Sequence, residues 1–124
     1  ITVTNITKFG SKRRSAGYGK KSIDLGAPGT EIYSTTPGNR FMSRTGCSYA
    51  APHVTGAIGL LHSIASKEFS LMHRKNPKKA ARVLRDFLLD GVSENSSLRN
   101  ITKYEGHLNL LNPAKKILKF KRER

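Results

Sequence analysis

Acidic residues are scarce in this sequence: 8 Asp and Glu stand against 23 Lys and Arg in 124 residues, a formal charge of +15. On so short a chain that excess favours association with something acidic: nucleic acid, an anionic membrane face or a complementary protein segment. Cysteine is nearly absent. The lone Cys47 excludes an internal disulfide framework and indicates no redox compartment. Tryptophan is missing altogether, and the aromatic content is 7%. The basic residues fall in short groups (Lys12-Arg13-Arg14, Lys20-Lys21, Arg74-Lys75, Lys78-Lys79, Lys115-Lys116) with little of the aromatic interleaving that stacks bases. They therefore read as a solvated or partner-facing surface rather than a nucleic-acid platform. No apolar run approaches the ~20 residues needed to cross a bilayer, so no membrane span is expected. The opening Ile1-Thr2-Val3-Thr4-Asn5 has neither an initiator methionine nor the charged-then-apolar pattern of a signal peptide, which points to a fragment or a processed product.

What is present is enough for a modest core. The apolar fraction is 36%, and the length suits one domain, read as an incomplete one. Ile1-Thr2-Val3 is β-branched and reads as a short buried strand ended by Asn5. Lys8 to Lys21 is polar, carries Gly10, Gly17 and Gly19, and reads as a surface loop. Ser22-Ile23-Asp24-Leu25 is expected to be a second strand stopped by Gly26-Ala27-Pro28-Gly29, and Glu31 to Thr36 a third stopped by Pro37-Gly38-Asn39.

From Ser48 to about Ser66 the residues Ala51, Val54, Ala57, Ile58, Leu61, Ile64 and Ala65 recur at helical spacing, and Ala50, Gly56, Gly59 and Leu60 leave the other faces nearly uncharged. That pattern predicts a helix buried on most sides, and Pro52 in its early turns supports a start near Ser48. After a charged connection, Asn76-Pro77 opens an amphipathic helix carrying Ala80, Val83, Leu84, Phe87 and Leu88 on one face, with Gly91 after its last turn. Gly106 to Leu110 reads as a short closing strand, and Asn112-Pro113-Ala114 leads a last helix with Ile117, Leu118 and Phe120. The basic end, 119–124, is expected to be flexible.

The chemistry concentrates in one stretch, Arg44-Thr45-Gly46-Cys47-Ser48-Tyr49-Ala50-Ala51-Pro52-His53-Val54-Thr55-Gly56. It sets a hydroxyl, Ser48, between a glycine and the small residues that open the helix, where free amide hydrogens lie beside the Oγ. Gly46 to Gly56 closely resembles the nucleophile motif of the subtilisin-like serine proteases, G-T-S-M-A-x-P-H-V-x-G, with Ser48 at the catalytic serine. Asp24 to Gly29 is similar to that family's strand ending in A-P-G, Ser34 to Asn39 to the segment before its nucleophile, and Gly106-His107-Leu108-Asn109 to its closing G-x-L/I-N strand. These segments span nearly the whole chain in the family's order.

The resemblance implies an α/β fold: the C-terminal portion of a doubly wound, three-layer parallel-sheet domain whose N-terminal half lies outside this sequence. It implies a serine-type endopeptidase acting on a peptide or protein substrate through an acyl-enzyme on Ser48, whose backbone N–H also donates to the oxyanion. In the family the order is Asp, His, Ser, so the acid, the base and the side-chain amide of the oxyanion hole are expected upstream of Ile1. The isolated chain is then expected to be inactive, with the missing half of the domain as its first partner. A secreted or cell-envelope location follows from the resemblance alone, and no cofactor is implied.

The histidines offer no substitute base. His53 is five residues after Ser48, which at about 100° per residue points the two side chains about 140° apart on the helix; in the resemblance it is a buried structural histidine. His62, His73 and His107 read as surface or packing residues. Asp24 matches a family acid that is sometimes near a weak cation site, but a lone strand-end aspartate is an ordinary hydrogen-bond acceptor, and no metal is assigned to it. Cys47 stands where the family usually has threonine and Tyr49 where it usually has methionine. Cys47 lies beside a helix N-terminus, which favours a thiolate, but reads first as a small buried stand-in for threonine. The alternative to an enzyme is a non-catalytic basic binding or structural module derived from a protease domain, holding an acidic partner. Three segments, Asn5-Ile6-Thr7, Asn95-Ser96-Ser97 and Asn100-Ile101-Thr102, also fit the N-glycosylation acceptor pattern.

Overall fold

A computed structural model describes residues 1–121; the last three residues of the basic end expected to be flexible, 122–124, lie outside the described residues. Strand β1 (Val3–Ile6) pairs in parallel with β2 (Leu25–Pro28). A hairpin of β3 (Ile32–Thr36) and β4 (Arg40–Arg44) forms a separate antiparallel ribbon. Then come α1 (Cys47–Ile64), α2 (Lys67–Lys75), α3 (Pro77–Asp90), the short β5 (Ser93–Glu94), a 3-10 turn at Ser96–Leu98, β6 (Gly106–His107) and α4 (Leu111–Leu118). The main sheet runs β1-β2-β6-β5, with β6 parallel to β2 and β5 antiparallel to β6. This mixed α/β arrangement around parallel strands is a partial doubly wound domain.

The first two strands differ from the sequence expectation. Asn5 does not end β1; it lies inside it, 1% exposed. The run Gly26-Ala27-Pro28, expected to stop the second strand, is itself most of β2, while Ser22 to Asp24 precede it. Two-sided burial accounts for this. In parallel register Val3 pairs with Leu25, Thr4 with Gly26, Asn5 with Ala27 and Ile6 with Pro28. Alternation turns Leu25 and Ala27 toward α1, where they join the core with Ala50, Val54, Ala57 and Leu61. It turns Gly26 to the other face, where a Cβ would lie 2.7 Å from Leu98 and 2.9 Å from Ile6. A strand covered closely on both faces takes glycine and alanine for fit, not as punctuation.

Helix α1 buries one line, Ala50, Val54, Ala57 and Leu61, at spacings of four, three and four. Its other faces, expected to be covered, carry exposed Ala51, Gly56, Gly59 and Leu60 in this chain. The charged connection 67–75 is α2, a helix of its own: Ser66 caps it by accepting the Phe69 N–H at 3.1 Å, and Phe69 and Met72 sink into the core. Asn76 caps α3 by accepting the Lys79 N–H at 3.0 Å, with Pro77 at the first helical position. The closing strand is shorter than expected, only Gly106–His107, and α4 begins at Leu111. Phe120 meets Phe69 edge to face, with ring centroids 5.6 Å apart, and tilts against Phe87.

Candidate active site

Ser48 is the second residue of α1 and is exposed. The residues before it leave β4 and cross to the end of β2, where two hydrogen bonds hold them. Gly46 N–H donates to the Gly29 carbonyl at 2.8 Å, and Glu31 N–H donates to the Thr45 hydroxyl at 2.9 Å. The chain therefore enters α1 from a fixed point on the sheet rather than from a free loop. At Gly29 the approach is so close that a Cβ would stand 2.7 Å from the Gly46 carbonyl oxygen. Only glycine fits there.

The helix start itself is open. Gly46 is the N-cap, no side chain caps the helix, and its first turn holds no acidic residue. Free backbone N–H groups and the positive end of the helix dipole thus face the side of the molecule where the Ser48 hydroxyl stands. A developing oxyanion placed against that hydroxyl would meet the Ser48 N–H and uncompensated positive potential. Cys47, next to it, is half-buried, and Tyr49 is half-buried with its ring 3.5 Å from where a Gly46 Cβ would be.

The imidazoles are engaged elsewhere. The His53 Nδ1–H donates to the Tyr49 carbonyl one turn back, at 2.9 Å, which fixes the ring along the helix. His107 Nδ1 accepts from the Asn95 carboxamide at 3.1 Å on the sheet's β5–β6 edge. His62 and His73 meet edge to face, centroids 5.0 Å apart, at the corner between α1 and α2. None of the four hydrogen-bonds Ser48. Asp24 accepts the Thr2 N–H at 2.8 Å, and among the described residues no group of three or more His, Cys, Asp and Glu is placed to hold a metal ion.

The sequence marks Ser48 as the candidate nucleophile and carries Thr45 in the same stretch and Gly29 within a resembling segment, but it does not mark Gly29, Thr30, Thr45 and Asn5 as the residues that hold Ser48. A polar Asn5 inside a β-branched run is the one local signal for that role, and by local chemistry alone it reads as a strand end. Among the three acceptor-pattern segments, Asn5 is buried and the Asn95 amide donates to the Gly10 carbonyl at 2.6 Å, whereas Asn100 is exposed.

Comparison with known proteins gives the family and the fold. The sequence model of the subtilase family, Peptidase S8, matches residues 1–103. The chain belongs to the subtilase family. Among its relatives, Subtilisin-like protease 1 of Plasmodium falciparum (isolate 3D7) is 30% identical over 115 residues, covering 89% of this chain. The chain spans 15% of that relative's length. The Major intracellular serine protease of Bacillus subtilis (strain 168) is 40% identical over 70 residues, covering 56% of this chain and 22% of the relative. The fold of this subtilase chain is that of solved subtilases: a structure of subtilase cytotoxin SubAB superposes with a TM-score of 0.74 over 96% of this chain and 37% of the other, at 20% identity. The family is one of serine proteases, and its match over residues 1–103 includes the helix start described above.

Proposed function

We propose that the protein containing this segment is a serine endopeptidase and that Ser48 is its nucleophile. The observation that carries the reading is the placement of Ser48: exposed at the uncapped start of α1, after a turn fixed to the sheet by Gly29, in a stretch that resembles the subtilase nucleophile motif and lies within the residues the family model matches. The Ser48 Oγ attacks the peptide carbonyl, its proton passes to a histidine base, and the Ser48 N–H donates to the resulting oxyanion. Collapse of the tetrahedral intermediate expels the amine, which takes that proton, and leaves an acyl-enzyme that water hydrolyses. The base, the aspartate that orients it and the second oxyanion donor come from the remainder of the domain. That remainder also covers the small, uncharged outer face of α1 at Ala51, Gly56, Gly59 and Leu60, a face whose glycines leave room for close approach.

A fluorophosphonate probe applied to the full-length protein tests the reading. Labelling at Ser48 that disappears in Ser48→Ala supports it; labelling and hydrolysis unchanged in Ser48→Ala overturn it. The non-catalytic alternative rests on charge: only Arg85–Asp86 and Arg99–Glu94 form ion pairs among the described residues, leaving many cations free for an acidic partner. Absence of any hydrolysis by the full-length protein, with heparin binding that collapses as salt rises, would favour that module instead.

A further inference from the structure

Strand β1 presents one carboxamide to the helix-bearing face of the sheet. Asn5 pairs with Ala27, which lies in the core against α1, and Asn5 is itself 1% exposed. A buried amide on an apolar face persists where its hydrogen bonds are needed. Its Oδ1 accepts the Thr30 hydroxyl at 2.8 Å. The same carboxamide lies directly beneath Gly29: a Cβ there would be 2.9 Å from both Cγ and Oδ1 of Asn5 and 2.7 Å from the Gly46 carbonyl oxygen. The Gly29–Thr30 backbone is thus held between Asn5 on one side and Gly46 on the other. From there Gly29 accepts the Gly46 N–H and Glu31 donates to Thr45, two and three residues before Ser48.

We infer that Asn5 is a positioning residue for Ser48. It touches neither the nucleophile nor the place a substrate carbonyl would take. Its carboxamide fixes Thr30 and Gly29, these fix Thr45 and Gly46, and Gly46 sets the direction in which α1 starts. The Ser48 hydroxyl and its oxyanion-donating N–H both depend on that direction, so the effect falls on the chemical step rather than on substrate binding. The inference rests on the reading of Ser48 as nucleophile.

The test uses the full-length protein, three single variants and one double, beside Ser48→Ala. Thr30→Val removes the hydroxyl while keeping the shape, Thr30→Ser keeps the hydroxyl, and Asn5→Ala removes its acceptor. The expected result is a kcat lower by about tenfold or more in Thr30→Val and Asn5→Ala with KM unchanged. The rate of fluorophosphonate inactivation falls in proportion, Thr30→Ser behaves as the parent, and combining Asn5→Ala with Thr30→Val adds no further loss. A folded Thr30→Val with parental kcat and only a lowered melting temperature overturns the inference, even if Asn5→Ala fails to fold. The two readings fail separately. Hydrolysis surviving in Ser48→Ala defeats the nucleophile assignment, whereas an inert Ser48→Ala beside a fully active Thr30→Val defeats the role of Asn5 alone.

Discussion

Gly46 donates its N–H to the carbonyl of Gly29 at 2.8 Å, and through that contact the end of β2 sets where the serine-bearing helix begins. The two residues are seventeen positions apart, with an exposed hairpin between them. The hairpin's own stability matters little to this junction, because Glu31 and Thr45 close it at its base by a second hydrogen bond of 2.9 Å.

Gly29→Ala should therefore damage activity out of proportion to its size. The new methyl would collide with the Gly46 carbonyl oxygen and the Asn5 carboxamide, both within 2.9 Å, and neither is the free end of a flexible side chain. Relief requires the junction to open, carrying Ser48 with it. A displacement near 1 Å costs on the order of a hundredfold in rate. Steady-state kinetics on the full-length variant, with circular dichroism to verify folding, reads this directly.

Cys47→Thr should leave activity and labelling near the parental level. Cys47 is half-buried at the helix start, and threonine is the residue that the resembling motif usually has there. If the thiol acted in the chemistry, the substitution would abolish turnover, and a thiol reagent such as iodoacetamide would inactivate the parent but not the variant. Measuring both rates separates the two roles.

What the sequence made legible was what local chemistry dictates. The start of α1 follows from small residues and an early proline, and α3 from Asn76-Pro77 and its apolar face; both lie within a residue of their expected positions. The extent of β2 was not legible, because Gly26 and Ala27 are selected by Leu98, Ile6 and α1, contacts distant in sequence that no local propensity encodes. Helix α2 was hidden by its charge: only Phe69 and Met72 of its nine residues are buried, too few to show a period. At the site, Ser48 announced itself by its neighbours, whereas Asn5 and Gly29 acquire meaning only when β1, β2 and the residues before α1 come together.

The caps of the two hidden and visible helices should carry measurable stability. Asn76→Ala removes the acceptor for the Lys79 N–H and should cost about 1 kcal/mol. Ser66→Ala should cost more, because the same hydroxyl that accepts the Phe69 N–H donates to the Phe120 carbonyl at 2.9 Å, joining α2 to the segment after α4. Urea denaturation of the two variants, compared for midpoint at constant slope, should rank Ser66→Ala below Asn76→Ala.

The base should prove to lie outside these residues. His53 spends its Nδ1–H on the Tyr49 carbonyl, His107 sits across the sheet with Asn95, and His62 and His73 pair at the far corner of α1. Replacing each in turn with asparagine in the full-length protein should leave the acid limb of the kcat/KM profile in place, since that limb reports the free enzyme's general base. His62→Asn and His73→Asn, at exposed positions, should be neutral in rate as well. His53→Asn should lower stability through the lost bond to Tyr49 while retaining the same limb. A substitution that erased the acid limb in a folded variant would place the base within this segment and would require α1 to start in a different orientation from the one Gly29 imposes.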